Sequence, residues 1–174
     1  MAFFWKKKEE KSRAEIEREV ISWQVENAQD EETRRYFEAQ ADKQYQEALS
    51  EFYTLTTTIK ETYSVLTNLA SYDGGAAERL IARCATAMEL DDSIREKRAY
   101  YDNAKYEYCE PYKILAMLYE KRGEYQRAAM VCVLAIEKGY TKDGTSGGMR
   151  GRLARMIKKG DLPISEQMKE ILSI

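Results

Sequence analysis

The sequence predicts an all-α chain: a short array of helical hairpins, with a long N-terminal helix and C-terminal capping helices. Three observations carry this. Hydrophobic residues make up 44% of the 174 positions, while only nine glycines and two prolines interrupt them, a balance that favours ordered helix. Apolar residues recur at spacings of three and four along most of the chain, the period of one helical face. The clearest breaks, at Gly74-Gly75, Gly123 and Gly139, fall between such stretches. The length fits one domain over 11–174, with 1–10 as a flexible or contact-making tail.

The elements follow in order. Phe3, Phe4 and Trp5 precede Lys6-Lys7-Lys8. Aromatics beside lysines suit an anionic membrane surface, although the apolar run is too short to span a bilayer or serve as a signal; a packing contact is the plainer alternative. Ile16, Val20 and Trp23 make a helical stripe over 11–27. Asp30 is a candidate N-cap, and Glu31 and Glu32 suit the positive end of a helix dipole. A long helix then carries Phe37, Ala41, Tyr45, Ala48, Phe52, Leu55, Ile59, Leu66 and Leu69 in a seven-residue rhythm. Such a seam fits a coiled-coil dimer or, better given its aromatic and alanine content, a bundle helix packed on its own chain. Thr54 and Thr56-Thr57-Thr58 are β-branched and predict a bend or break there. After the glycine turn, Ala77, Leu80, Ile81, Cys84, Ala87 and Met88 predict a helix ending before Asp91-Asp92. Residues 92–104 read as a separate short helix followed by a loop. The tyrosine-rich insertion 93–110, with Tyr100, Tyr101, Tyr106 and Tyr108, is either a recognition segment or a cover for the next hairpin.

That next hairpin is the best-defined part of the chain. Pro111 suits a first helical turn, where its missing N–H leaves no bond unmade. Tyr112, Leu115, Ala116 and Tyr119 then lie on one stripe. Gly123 tolerates the left-handed angles that a tight turn needs. Tyr125, Ala128, Cys132, Ala135 and Ile136 form the facing stripe, and Gly139 ends it. Ala116 and Ala128 are small where the helices should cross. This order of residues resembles the tetratricopeptide repeat (TPR). Tyr112 stands in the usual Trp slot, Gly123-Glu124-Tyr125 matches the turn, and Ala128 and Ala135 follow at the repeat's intervals. Cys132 departs from an aromatic position, and Tyr140 stands where proline is usual. The match is confined to 111–140. It implies hairpin units of about 34 residues that stack on one another, here at about 45–90 and 111–139, the first more divergent.

Lys142 to Lys159 contains Gly144, Gly147 and Gly148 and then a helix over about 148–158, and Asp143 is its only acid. A glycine-rich loop entering an arginine-bearing helix can hold an anion, because free N–H groups, the helix dipole and guanidinium groups converge. Lys142, Arg150, Arg152 and Arg155 are the candidates. The loop lacks the Gly-Lys-Ser/Thr of a Walker A motif. The simpler reading is a capping helix with a solvated basic face. Asp161-Leu162-Pro163 breaks the chain, and Ile164, Met168, Ile171 and Leu172 predict a last helix over 164–173.

Composition narrows the function. There is no histidine, which removes the commonest general base and metal ligand. No catalytic residue, metal or cofactor is expected, and the chain reads as a non-enzyme. Lys+Arg 28 against Asp+Glu 30 implies no nucleic-acid partner. Cys84, Cys109 and Cys132 have no paired spacing and read as reduced, in a cytoplasmic protein; Cys109, at a loop–helix junction, is the one candidate for a reactive thiol. The small, histidine-free chain with its M-A-F-F-W-K-K-K start suggests a bacterial or phage adaptor or inhibitor. The TPR resemblance implies a module that captures a protein or peptide in a groove. Glu110, Lys113, Met117 and Glu120 would line it. Met117 stands where the repeat's carboxylate-binding groove carries Asn, which argues for a mixed, partly apolar partner. Self-association is a further expectation. The competing readings are an anionic small molecule or nucleotide on 142–155 and a membrane-associated scaffold using the N-terminal aromatic and lysine residues.

Overall fold

The computed structural model describes residues 19–20, 22–25, 31–101 and 107–173. The expected tail 1–10, most of the helix expected at 11–27, and the side chains of Phe37, Tyr100, Tyr101 and Tyr106 lie outside the described residues. The membrane reading rests on that tail. No helix among the described residues is long and apolar enough to cross a membrane.

The chain divides into two units, Met1–Ala48 and Leu49–Ile174. Helix α1, Glu31–Asn68, begins in the first and ends in the second. Its first-unit part carries exposed i,i+4 ion pairs, Arg35–Glu31 at 2.5 Å and Lys43–Glu47 at 3.8 Å, each of which supports a helix by a few tenths of a kcal/mol.

Among the described residues, the second unit holds the rest of α1 and five further helices: α2 Gly75–Tyr101, α3 Glu110–Lys121, α4 Tyr125–Glu137, α5 Gly148–Gly160 and α6 Glu166–Leu172. It is all-helical, and consecutive helices pack on one another from α2 through α6; α4 also touches α6. Ile59 and Leu66 of α1 join the same core as Leu80, Cys84, Tyr112, Leu118, Cys132 and Leu153.

Two expectations are corrected. The threonine run does not break α1, which is helical without interruption through Asn68. Thr54, Thr57, Thr58 and Thr62 each donate a hydroxyl to the carbonyl four residues back, at 2.8–3.1 Å, so these polar side chains find their partners inside a continuous helix, sharing acceptors with its backbone ladder. Nor does the next helix stop before Asp91: α2 runs on to Tyr101 in place of the two helices expected. Leu80, Cys84, Ala87, Asp91 and Ile94 form one buried stripe, in which Asp91 faces inward as a core residue. A carboxylate at a core position looks like a helix stop to a pattern of apolar spacing.

The ends of α1, α3, α4 and α5 use one device. Ser71 donates to Leu66, Glu124 to Tyr119, Tyr140 to Ala135 and Leu162 to Ile157, each a backbone N–H reaching five residues back at 2.8–3.1 Å. The residue before each donor has positive φ: Ala70, Gly123, Gly139 and Asp161. This closes the last turn and satisfies carbonyls that would otherwise be orphaned. Two turns are also tied together. Arg122 lies 2.6 Å from Glu124, 2.7 Å from Glu78 and 3.5 Å from Asp73, while Lys121 sits over the Tyr72 ring.

Near the start of α3, a single parallel bridge pairs Tyr108 with Lys142. Lys142 N–H donates to Glu107 at 2.8 Å, and Met149 N–H donates to Thr141 at 2.9 Å. The segment before α3 and the loop before α5 are therefore held against each other. Gly148 is required in that loop: it has φ +55°, and a Cβ there would lie 2.3 Å from the Thr141 carbonyl.

Candidate functional site

Glu110, Lys113, Met117 and Glu120 recur at three, four and three residues, so they form one stripe along α3. Pro111 starts that helix behind Cys109 as N-cap, and the opposite faces bury Tyr112, Leu115, Ala116 and Leu118. The stripe is what the core leaves over. None of its four residues is fully buried or fully exposed.

At the N-terminal end, Glu110 meets two lysines, Lys113 at 3.3 Å and Lys60 of α1 at 3.7 Å. Tyr108 donates its hydroxyl to Glu110, and Lys113 donates to the Tyr108 hydroxyl at 3.0 Å. Burial works against the charge on Lys113, but the Tyr108 hydroxyl and the Glu110 carboxylate together hold its ammonium pKa above the ordinary value.

At the C-terminal end, Glu120 receives three cations from α5. Arg152 donates at 3.0 Å, Arg155 through two nitrogens at 3.0 and 3.1 Å, and Lys159 at 2.9 Å. Arg152, Arg155 and Lys159 share one face of α5 by their spacing of three and four. Burial opposes the Glu120 charge, but the hydrogen bonds from Arg155 and Lys159 outweigh it and hold the carboxyl below its usual range. Tyr63 of α1 lies within electrostatic reach of Arg152 and Glu120.

Two of the four anion-site candidates, Arg152 and Arg155, thus come to the groove candidate Glu120. Arg152 is buried and also pairs with Asp143, at 2.8 Å through Nη2 and 3.0 Å through Nε. Asp143 in turn accepts from the Thr145 N–H at 2.9 Å and the Thr145 hydroxyl at 2.6 Å. Against the opposing effect of burial, these donors hold Asp143 below the usual carboxylate range. The donors that an external anion would use on Thr145 and Arg152 are therefore engaged by carboxylates of the chain. Lys142 pairs with Glu107, and Arg150 is exposed and lies off the Arg152–Lys159 face.

The site includes residues the sequence did not single out. Lys60 and Tyr63 approach from another helix and leave no local signal. Lys159 could have been found, four residues after Arg155 on the same face.

A second polar cluster lies on the other side of α3. Tyr140 donates to both oxygens of Asp91 at 2.6 and 2.7 Å, packs against Tyr112 with the rings tilted by 43° and their centroids 5.3 Å apart, and lies beneath Arg95. Burial raises the Asp91 carboxyl, and the Tyr140 hydroxyl only partly offsets it. Cys109 is buried nearby with its thiol pushed well up, first by desolvation and then by Asp91, which removes the thiolate that a reactive cysteine needs. Burial pushes Cys84 and Cys132 up to about 12. Among the described residues, no group of three His, Cys, Asp or Glu side chains converges to hold a metal ion. Set against known proteins, the chain matches no family model, no curated protein and no solved structure.

Proposed function

We propose that the chain is a non-enzymatic interaction module of TPR-like build that captures a protein or peptide on the outward stripe of α3. One observation carries the reading. The stripe Glu110–Lys113–Met117–Glu120 is linked by ion pairs to α1 on one side, through Lys60, and to α5 on the other, through Arg155 and Lys159. Alternate helices of the array would then contribute to one surface, the arrangement by which stacked hairpins present a docking face. Met117 is half-buried in the middle of this polar belt and offers an apolar contact to an incoming chain. The small-molecule reading is weaker, because Asp143 and Glu120 already engage Arg152 and Glu120 engages Arg155.

The test is quantitative. A partner recovered by affinity purification and then purified should bind the whole chain in calorimetry. Met117→Glu and Lys113→Glu should weaken it at least tenfold, and the off-face variant Arg150→Glu should not. A nucleotide or phosphate that raised the melting temperature, with the rise lost in Arg150→Ala/Arg152→Ala, would replace this reading with anion binding.

A further inference from the structure

We propose that the occupant of the α3 face is an acidic polypeptide segment, Asp or Glu residues flanking an apolar side chain. Lys60, Arg155 and Lys159 receive its carboxylates, and Met117 and Tyr63 receive the apolar residue. This rests on the reading of α3 as a docking surface and adds the chemistry of the partner. The argument is one of charge and its orientation. The chain as a whole carries a formal net charge of −2. The belt of α1, α3, the loop before α5 and α5 runs the other way: among the described residues, Lys60, Lys113, Arg152, Arg155 and Lys159 pair only with Glu110, Glu120 and Asp143. The carboxylates are covered, with side chains 12%, 15% and 1% exposed, whereas Lys60, Arg155 and Lys159 are 58%, 42% and 47% exposed. The belt therefore hides its acids and presents its cations. Glu107 and Lys142 cancel at its edge.

Donor capacity points the same way. A guanidinium carries five N–H groups and an ammonium three. Arg155 and Lys159 share Glu120 with Arg152, so each keeps donors for a second carboxylate. Lys113 is turned toward Tyr108 and Glu110, and Arg152 is buried, so the recognition falls to the three exposed cations.

The experiment selects binders to the whole chain from a random displayed peptide library and measures synthetic copies of the enriched sequences by fluorescence anisotropy. The expected peptides carry Asp or Glu beside an apolar residue. Their affinity should fall as salt rises, and should drop about tenfold in Arg155→Ala/Lys159→Ala, the loss of two solvent-screened ion pairs. Lys60→Glu, on an exposed side chain, checks the same point should the double variant not fold. Arg155→Glu/Lys159→Glu should recover affinity for peptides in which Lys replaces the acidic residues. Neutral or basic peptides whose binding Met117→Glu abolishes would overturn the acidic partner and leave the docking surface standing. Peptides indifferent to Met117→Glu and Lys113→Glu would overturn both. Two further results overturn the proposal: polyphosphate of matched charge displacing the peptide as well as unlabelled peptide does, which would mean general anion attraction, and a dimer dispersed by Lys60→Glu, which would make the occupant a second copy.

Discussion

Ala70 closes α1 with φ 48°, a conformation that an L residue with a Cβ enters at a cost of about 1 kcal/mol. The same position in the turns after α3 and α4 is Gly123 and Gly139. Ala70→Gly should therefore raise stability by about 0.5 kcal/mol, because relief of strain is partly offset by the freedom glycine adds to the unfolded chain. Chemical denaturation checks it; an unchanged or lower midpoint would mean that the positive φ at Ala70 carries no net strain. Gly148 should behave in the opposite way. Gly148→Ala combines a positive φ with a Cβ driven against the Thr141 carbonyl, and should cost about 2 kcal/mol or more. Tyr140→Phe removes the donor that serves both Asp91 oxygens, and should cost about 1–3 kcal/mol.

At the scale of elements, the α3–α4 hairpin was legible because its information is local. Tyr112, Leu115, Ala116 and Tyr119, a turn glycine, then Ala128, Cys132 and Ala135 mark two helices and the faces by which they meet, and each of these residues except the exposed Gly123 is at least half-buried. The α2 boundary was not legible, because Asp91 is a core residue only by virtue of Tyr140, 49 positions away. The tyrosine at 140, where the TPR pattern has proline, is the other half of the same fact: it is buried and bonded to Asp91. The site was half legible. The spacing of Glu110, Lys113, Met117 and Glu120 placed them on one stripe, and the density of arginines marked α5. That the two segments meet at Glu120 depends on a helix crossing that no local spacing encodes. The meeting can be tested by substitution. Asp143→Asn leaves the buried Arg152 with Glu120 as its remaining carboxylate and should cost about 2–3 kcal/mol, below the full penalty for stranding a buried charge. A Glu120→Gln/Asp143→Asn double variant should lose more than the sum of the singles, which a double-mutant cycle measures directly.

For the molecule as a whole, the two polar clusters on either side of α3 predict opposite responses to pH. Glu120 and Asp143 have pKa values lowered in the folded state. Their contribution is complete above the unfolded carboxylate range near 4 and disappears as pH falls through their folded values. Asp91 is raised. Its contribution is complete below that range and is lost as pH climbs through its elevated folded value, so at neutral pH it is a liability relieved only in part by Tyr140. Acid unfolding should therefore begin at the α3–α5 belt. Glu120→Gln should cost about 1–2 kcal/mol at neutral pH, and the gap to the parent chain should shrink toward zero in strong acid, where both side chains are neutral. Asp91→Asn, which keeps an acceptor for Tyr140, should behave inversely: equal to or more stable than the parent at neutral pH, with any advantage gone in acid. Denaturation midpoints of the three chains across the acid range read both signs in one series. If Glu120→Gln keeps a constant deficit at every pH, the carboxylate's charge is not what holds α3 to α5. The cations of the belt would then owe their placement to packing alone, and their outward tilt would say nothing about what they are meant to meet.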